Sequence, residues 1–202
     1  MSDELKENHT HDEVATGGNG QNNVTIKNKS SFGFKNKFAR VLWGVVYLVL
    51  FRPSPRVCHN WRRWLLVLFG AQIGENSTVY PTAKIWLPEN LQMGRSSSIG
   101  PNVDCYCVDK VVIGDNCIVS QYSYLCTASH DISSADFKLI TAPIHICDQA
   151  WVAADVFIAP GVTVNEGSVV GARSSVYKDV PSWTVVGGNP ARFIKERKLS
   201  IE

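Results

Sequence analysis

The sequence predicts an all-β solenoid: a left-handed parallel β-helix, preceded by an apolar, helical N-terminal segment and followed by a short C-terminal extension. Two observations predict it. From Ile146 an aliphatic residue recurs at every sixth position (Ile146, Val152, Ile158, Val164, Val170, Val176), and four positions after each of the first five stands a small or β-branched residue (Ala150, Val156, Val162, Ser168, Ser174). A six-residue period fits neither the roughly 3.6-residue turn of an α-helix nor a heptad. It is the pattern of a β-helix in which each hexad supplies a short strand and a turn, and three hexads, about 18 residues, close one triangular coil.

Taken in chain order, residues 1–31 are rich in Asn, Gly, Lys, Asp and Glu and hold almost no large apolar residue, so they are predicted to be a disordered tail. Residues 32–70 change character, with two apolar runs, Val41–Phe51 and Trp64–Phe69, split by Arg52-Pro53-Ser54-Pro55-Arg56, whose prolines must break a helix. The first run is too short for the ~17–25 residues that span a bilayer. It reads as a helix packed on the protein's own core, capping the open end of the solenoid, or as a helix lying in a membrane interface, with Arg40, Arg52, Arg56, Arg62 and Arg63 beside it and Trp43, Trp61 and Trp64 at headgroup depth.

Residues 71–182 are predicted to be the β-helix. Earlier hexads run Ile73, Val79, Ile85, then Met93, Ile99, Cys105, then Ile113, Val119, Leu125, each set separated from the next by a two-residue slip. The aliphatic side chains point inward, the small residues fill the corners, and Gly or Asn at the turns, as in Ile73-Gly74 and Met93-Gly94, is expected to relieve the backbone. Between Leu125 and Ile146 the repeat fails, which predicts a loop extruded at about 129–143; a long excursion from a regular solenoid is usually functional. Residues 183–202 form the C-terminal extension.

Composition narrows the function. A formal net charge of +2 gives no global field for nucleic acid. None of the six cysteines has the paired spacing of a zinc site, and the N-terminus lacks a signal peptide's apolar core, so a cytoplasmic protein with reduced thiols is expected.

Several segments carry a resemblance: Ile118-Val-Ser-Gln-Tyr-Ser-Tyr-Leu-Cys-Thr-Ala-Ser-His-Asp131, Ala150-Trp-Val-Ala-Ala154, Ala159-Pro-Gly-Val-Thr163, and Tyr177-Lys-Asp-Val-Pro181 followed by Val186-Gly-Gly-Asn-Pro-Ala-Arg192. They resemble the hexapeptide-repeat sugar O-acetyltransferases related to galactoside, maltose and colanic-acid acetyltransferases, over about residues 35–197. The Arg-Pro-Ser-Pro and Trp-Arg-Arg-Trp-Leu-Leu strings look like the colanic-acid branch. The resemblance implies acetyl transfer from acetyl-CoA to a sugar hydroxyl in surface-polysaccharide assembly, with no metal, by a homotrimer. It makes His130 the general base. A hydroxyl is a poor nucleophile at neutral pH, and imidazole is suited to take its proton.

By the same resemblance Trp151, Ala153 and Ala154 border the CoA thiol arm, Ala172 lets the pantetheine approach the backbone, and Lys178, Arg192 and Lys195 meet the phosphates. Family members often carry a serine where this chain has Ala154, leaving the backbone N–H as oxyanion donor there. Tyr106 and Asp109 are candidate acceptor residues, or else a packed tyrosine and a turn carboxylate. A non-catalytic β-helix for assembly or binding is the alternative. A zinc hydratase on this fold would need three converging histidines, and the repeat holds two, His130 and His145.

Overall fold

The computed structural model describes residues 25–26 and 34–199. Stacked coils place the strands in three parallel sheets. The first contains Gln72–Ile73, Leu91–Met93, Val111–Ile113, Ile144–Ile146 and Thr163–Val164. The second runs from Thr78–Val79 to Thr184–Gly187, and the third contains Lys84–Ile85, Asp104–Tyr106, Tyr124–Cys126, Phe157–Ile158 and Ser175–Val176. The chain visits them in that order in each coil, so every coil has three corners.

The predicted inward positions form the core: Ile99, Val119, Leu125, Val152, Ile158, Val164 and Val170 are wholly buried, and the corner residues Ser168 and Ser174 are buried beside them. The two-residue slips are real. Met93 pairs with Ile113, 20 residues on, whereas Ile146 pairs with Val164, 18 residues on, so the slips are longer turns and not breaks in the stack.

The expected relief by Gly or Asn holds at Asn76, Asn102, Asn116, Gly161 and Gly167, which take positive φ, and is corrected for Gly74, Gly94, Gly100 and Gly114, which do not. These four glycines are required by close approach. A Cβ on Gly94 would lie 2.6 Å from the carbonyl carbon of Gly114 in the next coil.

Helix α1 (Phe34–Val46) continues as a π-helical turn through Tyr47–Phe51, and after the proline break helix α2 covers His59–Leu68. One side of this pair closes the solenoid: Trp43, Phe51, Leu65 and Leu66 belong to the same buried cluster as Ala71 and Ile73. Trp43 Nε1 donates to the Ile85 carbonyl at 2.7 Å.

Of the five arginines beside the apolar runs, Arg62 does not face outward. It is completely buried, and its five N–H groups donate to the carbonyls of Val79, Pro55 and Arg56, to Ser54 Oγ and to His59 Nδ1. A guanidinium has five such donors, so none is orphaned.

At the ends two further differences appear. Thr25–Ile26, expected in the disordered tail, pairs antiparallel with Ile140–Thr141; the rest of the tail lies outside the described residues. Thr184–Gly187, expected in the extension, is a further solenoid strand paired parallel with Val169–Val170. The extension proper is Arg192–Glu196, which folds back antiparallel through the predicted Gly187-Gly188-Asn189-Pro190 turn.

Candidate active site

The broken repeat becomes a β-hairpin. Ala128–His130 pairs antiparallel with Leu139–Thr141, and the loop between them projects from the corner joining the third sheet to the first. The hairpin falls in the stretch where the hexad period fails. Thr127 ties its root down, with both its N–H and its hydroxyl donating to the Tyr106 carbonyl. Asp109 braces the same root. One carboxylate oxygen accepts from Thr141 Oγ and the other from the Lys110 N–H, both at 2.8 Å, which makes it a loop anchor with its oxygens already engaged.

His130 is exposed on this hairpin, and its Nδ1 lies 2.6 Å from the Phe137 carbonyl oxygen. A carbonyl only accepts, so Nδ1 carries a proton, and in the neutral ring Nε2 is the nitrogen left to act as base. Phe137 holds that carbonyl in place from a φ of +45°, a conformation uncommon for a bulky side chain. Its N–H donates to Ser134, while Asp131 accepts from the Ser133 N–H through its side chain and donates its own N–H to Lys138. The loop's hydrogen bonds thus converge on aiming one imidazole.

Next to the hairpin root, between α1 and the third sheet, lies a cavity of about 840 Å³. Its lining includes Tyr106, Tyr124 and Trp86 together with Lys37, Lys84 and Asp104. Trp86 meets Tyr106 edge to face at 4.9 Å, and Arg40 sits 4.1 Å over the Trp86 ring. Burial pushes the Asp104 carboxyl above its usual range, opposed by Lys84 at 3.9 Å. Tyr106 was marked by its position before the loop. Trp86, Asp104 and the α1 residues were missed, because only the packing of α1 on the sheet makes a cavity of them.

The remaining predicted residues fall into two groups. Trp151 stands exposed on the second sheet, its Nε1 donating to Ser120 Oγ at 3.0 Å. The following turn, at the corner between the second and third sheets, carries Ala153 and Ala154. Ala153 is buried and its N–H is spent on Val170, but the Ala154 N–H donates to no described residue. Ala154 and Ala172 share a concavity of about 300 Å³ with Tyr122, Asp155 and Arg173.

Lys178 and Arg192 line a separate concavity of about 400 Å³. Lys178 belongs to the corner between the third and first sheets, the one that carries the His130 hairpin. Lys195 is exposed on the folded-back strand, outside that concavity. His145 is partly exposed on the first sheet and lines a concavity with Cys147, Asp148 and Glu166. No group of three metal-ligating side chains converges among the described residues. One chain therefore places the imidazole and the Ala154–Ala172 groove at different corners of the prism.

No protein-family model matches the chain. It is 47% identical over 156 residues to WcaF of Escherichia coli (strain K12), a protein assigned to colanic acid biosynthesis as an acetyltransferase, covering 77% of this chain and 86% of that one. It is 33% identical to the galactoside O-acetyltransferase of Escherichia coli (strain K12), covering 62% of this chain and 64% of that one. Among solved structures it is similar to a hexapeptide-repeat acetyltransferase from Vibrio cholerae O1 biovar eltor complexed with acetyl-CoA. That match has a TM-score of 0.73 at 28% identity and covers 85% of this chain and 92% of that one.

Proposed function

The chain belongs to the hexapeptide-repeat acetyltransferases, and from that premise we propose that it moves the acetyl group of acetyl-CoA to a sugar hydroxyl during the assembly of a surface polysaccharide, with His130 as general base. The observation that carries this reading is the 2.6 Å contact of His130 Nδ1 with the Phe137 carbonyl, which leaves Nε2 as the ring nitrogen available to take a proton.

The acceptor sugar occupies the cavity at the hairpin root, where Tyr106 and Trp86 offer aromatic faces to its C–H surface and Asp104 accepts from a hydroxyl. Nε2 takes the proton of the attacking hydroxyl as its oxygen bonds to the thioester carbonyl carbon. The Ala154 N–H donates to the oxyanion, the C–S bond breaks, and the imidazolium returns its proton to the departing thiolate. Atoms and charge balance without an acyl-enzyme. Acetyl-CoA is the second substrate, with its thiol arm along Trp151, Ala154 and Ala172, and Lys178 and Arg192 serve its phosphates. Lys195, outside their concavity, is the weakest member of that set.

Because the imidazole and the Ala154–Ala172 groove lie at different corners, the reaction requires His130 of one chain to face the groove of another, which a closed homotrimer provides. Acetyl-CoA supply and the six free thiols agree with a cytoplasmic enzyme. The test is thiol release from acetyl-CoA offered with soluble glycosides, nucleotide-linked sugars and lipid-linked sugars. Acceptor-dependent release that falls at least ~10²-fold in His130→Ala is expected. Release equal in the two proteins would defeat the mechanism.

A further inference from the structure

The capping helices have two apolar faces, and only one is used. On α1 and its π-helical continuation, Phe38, Leu42, Val45, Leu48 and Val49 form an exposed stripe opposite the buried Trp43 and Phe51. On α2, Trp61, Trp64 and Leu68 are exposed opposite the buried Leu65 and Leu66, and the two exposed indoles stack at 5.3 Å. A helix apolar on all sides needs apolar surroundings on all sides. Singly exposed hydrophobics are ordinary, but a continuous patch is not.

Charge identifies the occupant. Residues 34–74 contain seven of the chain's 20 basic residues and none of its 18 acidic ones, so the rest of the chain carries 13 basic and 18 acidic residues. The cap is the cationic pole of a polarised protein. Of its arginines, Arg62 is buried and Arg63 donates to the Ile73 carbonyl, whereas Arg52 and Arg56 remain exposed at the proline turn beside the apolar face. A second copy docked through the same face would set these cations against each other. Among the described residues no helix is long and apolar enough to cross a membrane.

We propose that the outer face of α1 and α2 lies in the interface of an anionic lipid bilayer, with its aliphatic stripe and the Trp61–Trp64 pair among the acyl boundary and Arg52 and Arg56 at the headgroups. The alternatives of cap and membrane contact become two sides of one element. Resting on the acceptor site proposed above, a corollary follows: α1 walls the cavity that holds Tyr106 and Trp86, so docking brings that cavity to the headgroup plane, where a lipid-linked sugar would enter.

The experiment is vesicle flotation of the full chain, which reads binding without reference to catalysis. Vesicles of phosphatidylcholine mixed with phosphatidylglycerol should carry the protein at low salt, phosphatidylcholine alone much less, and high salt should release it. Arg52→Gln with Arg56→Gln should weaken partitioning about fivefold per cation. Trp64→Ser with Leu68→Ser should abolish flotation while leaving acetyl transfer to a soluble acceptor and the sedimentation mass unchanged. Absence of flotation on the anionic vesicles at low salt would overturn the proposal. So would a fall in oligomer mass in Trp64→Ser with Leu68→Ser, because the face would then be a contact between copies. Loss of transfer in His130→Ala with flotation intact separates this inference from the catalytic one.

Discussion

At the scale of single residues, two side chains are held by complete hydrogen-bond accounts. His130 has Nδ1 fixed by the Phe137 carbonyl, so nitrogen NMR should find the neutral ring as its Nδ1–H tautomer. His130→Asn keeps a polar group but supplies no base; kcat should fall about 10²-fold or more with KM for acetyl-CoA little changed. Arg62 is the structural counterpart. Its five donors meet five acceptors in the seam between α2, the proline turn and the first coil, and replacement by Leu strands those acceptors in a buried site. Arg62→Leu should cost about 3 kcal/mol or more in denaturant unfolding, since a single orphaned buried polar group costs roughly 1–3 kcal/mol. Lysine, with three donors in another geometry, should restore only part. The arginine was visible in the sequence, but its burial was not, because an Arg in Trp-Arg-Arg-Trp reads equally well as a surface cation.

At the scale of elements, the corner column and the helical cap make separate claims. Gly74, Gly94 and Gly114 stack at one corner, and a Cβ on Gly94 would meet the Asp115 carboxylate and also collide with the Gly114 backbone of the next coil, which cannot swing aside. Gly94→Ala should therefore lower the melting temperature, whereas Asn116→Gly should be tolerated, because Asn116 takes the left-handed conformation at a φ of 56° that glycine adopts freely. In the cap, burial and the neighbouring Arg62 and Arg56 cations hold the His59 imidazole below its ordinary value of 6.5. Its Nδ1 accepts from Arg62, so the neutral ring is the one the fold requires. Below pH 6.5 the unfolded chain binds a proton that the folded chain refuses, and stability is lost progressively as pH falls toward the lowered folded value. Melting curves should show His59→Asn losing less stability than the parent between neutral and mildly acidic pH; an identical pH dependence would remove His59 as a contributor.

At the scale of the whole molecule, the separation of His130 from the Ala154–Ala172 groove turns a statement about one chain into a prediction about several. His130→Ala and Ala172→Trp should each be inactive, yet co-assembly at equal ratio should restore activity at about a quarter of all interfaces, one in each mixed trimer, where an intact histidine meets an intact groove. No recovery would place the whole site in one chain. What the sequence by itself determined is whatever depends on local period and local chemistry. The hexads specify which side chains point inward, because each short strand alternates faces and every coil repeats the register. The failure of that period locates the hairpin, and the prolines of 53–55 end the first helix. Only the tertiary structure decided what depends on bringing distant segments together: the Arg62 seam, the cavity between α1 and the third sheet, the carbonyl that orients His130, and the assignment of groove and imidazole to different corners. Their physical reason is common to all four. Burial and hydrogen-bond satisfaction belong to pairs of surfaces, and a linear pattern records which surfaces are apolar without recording which of them will meet.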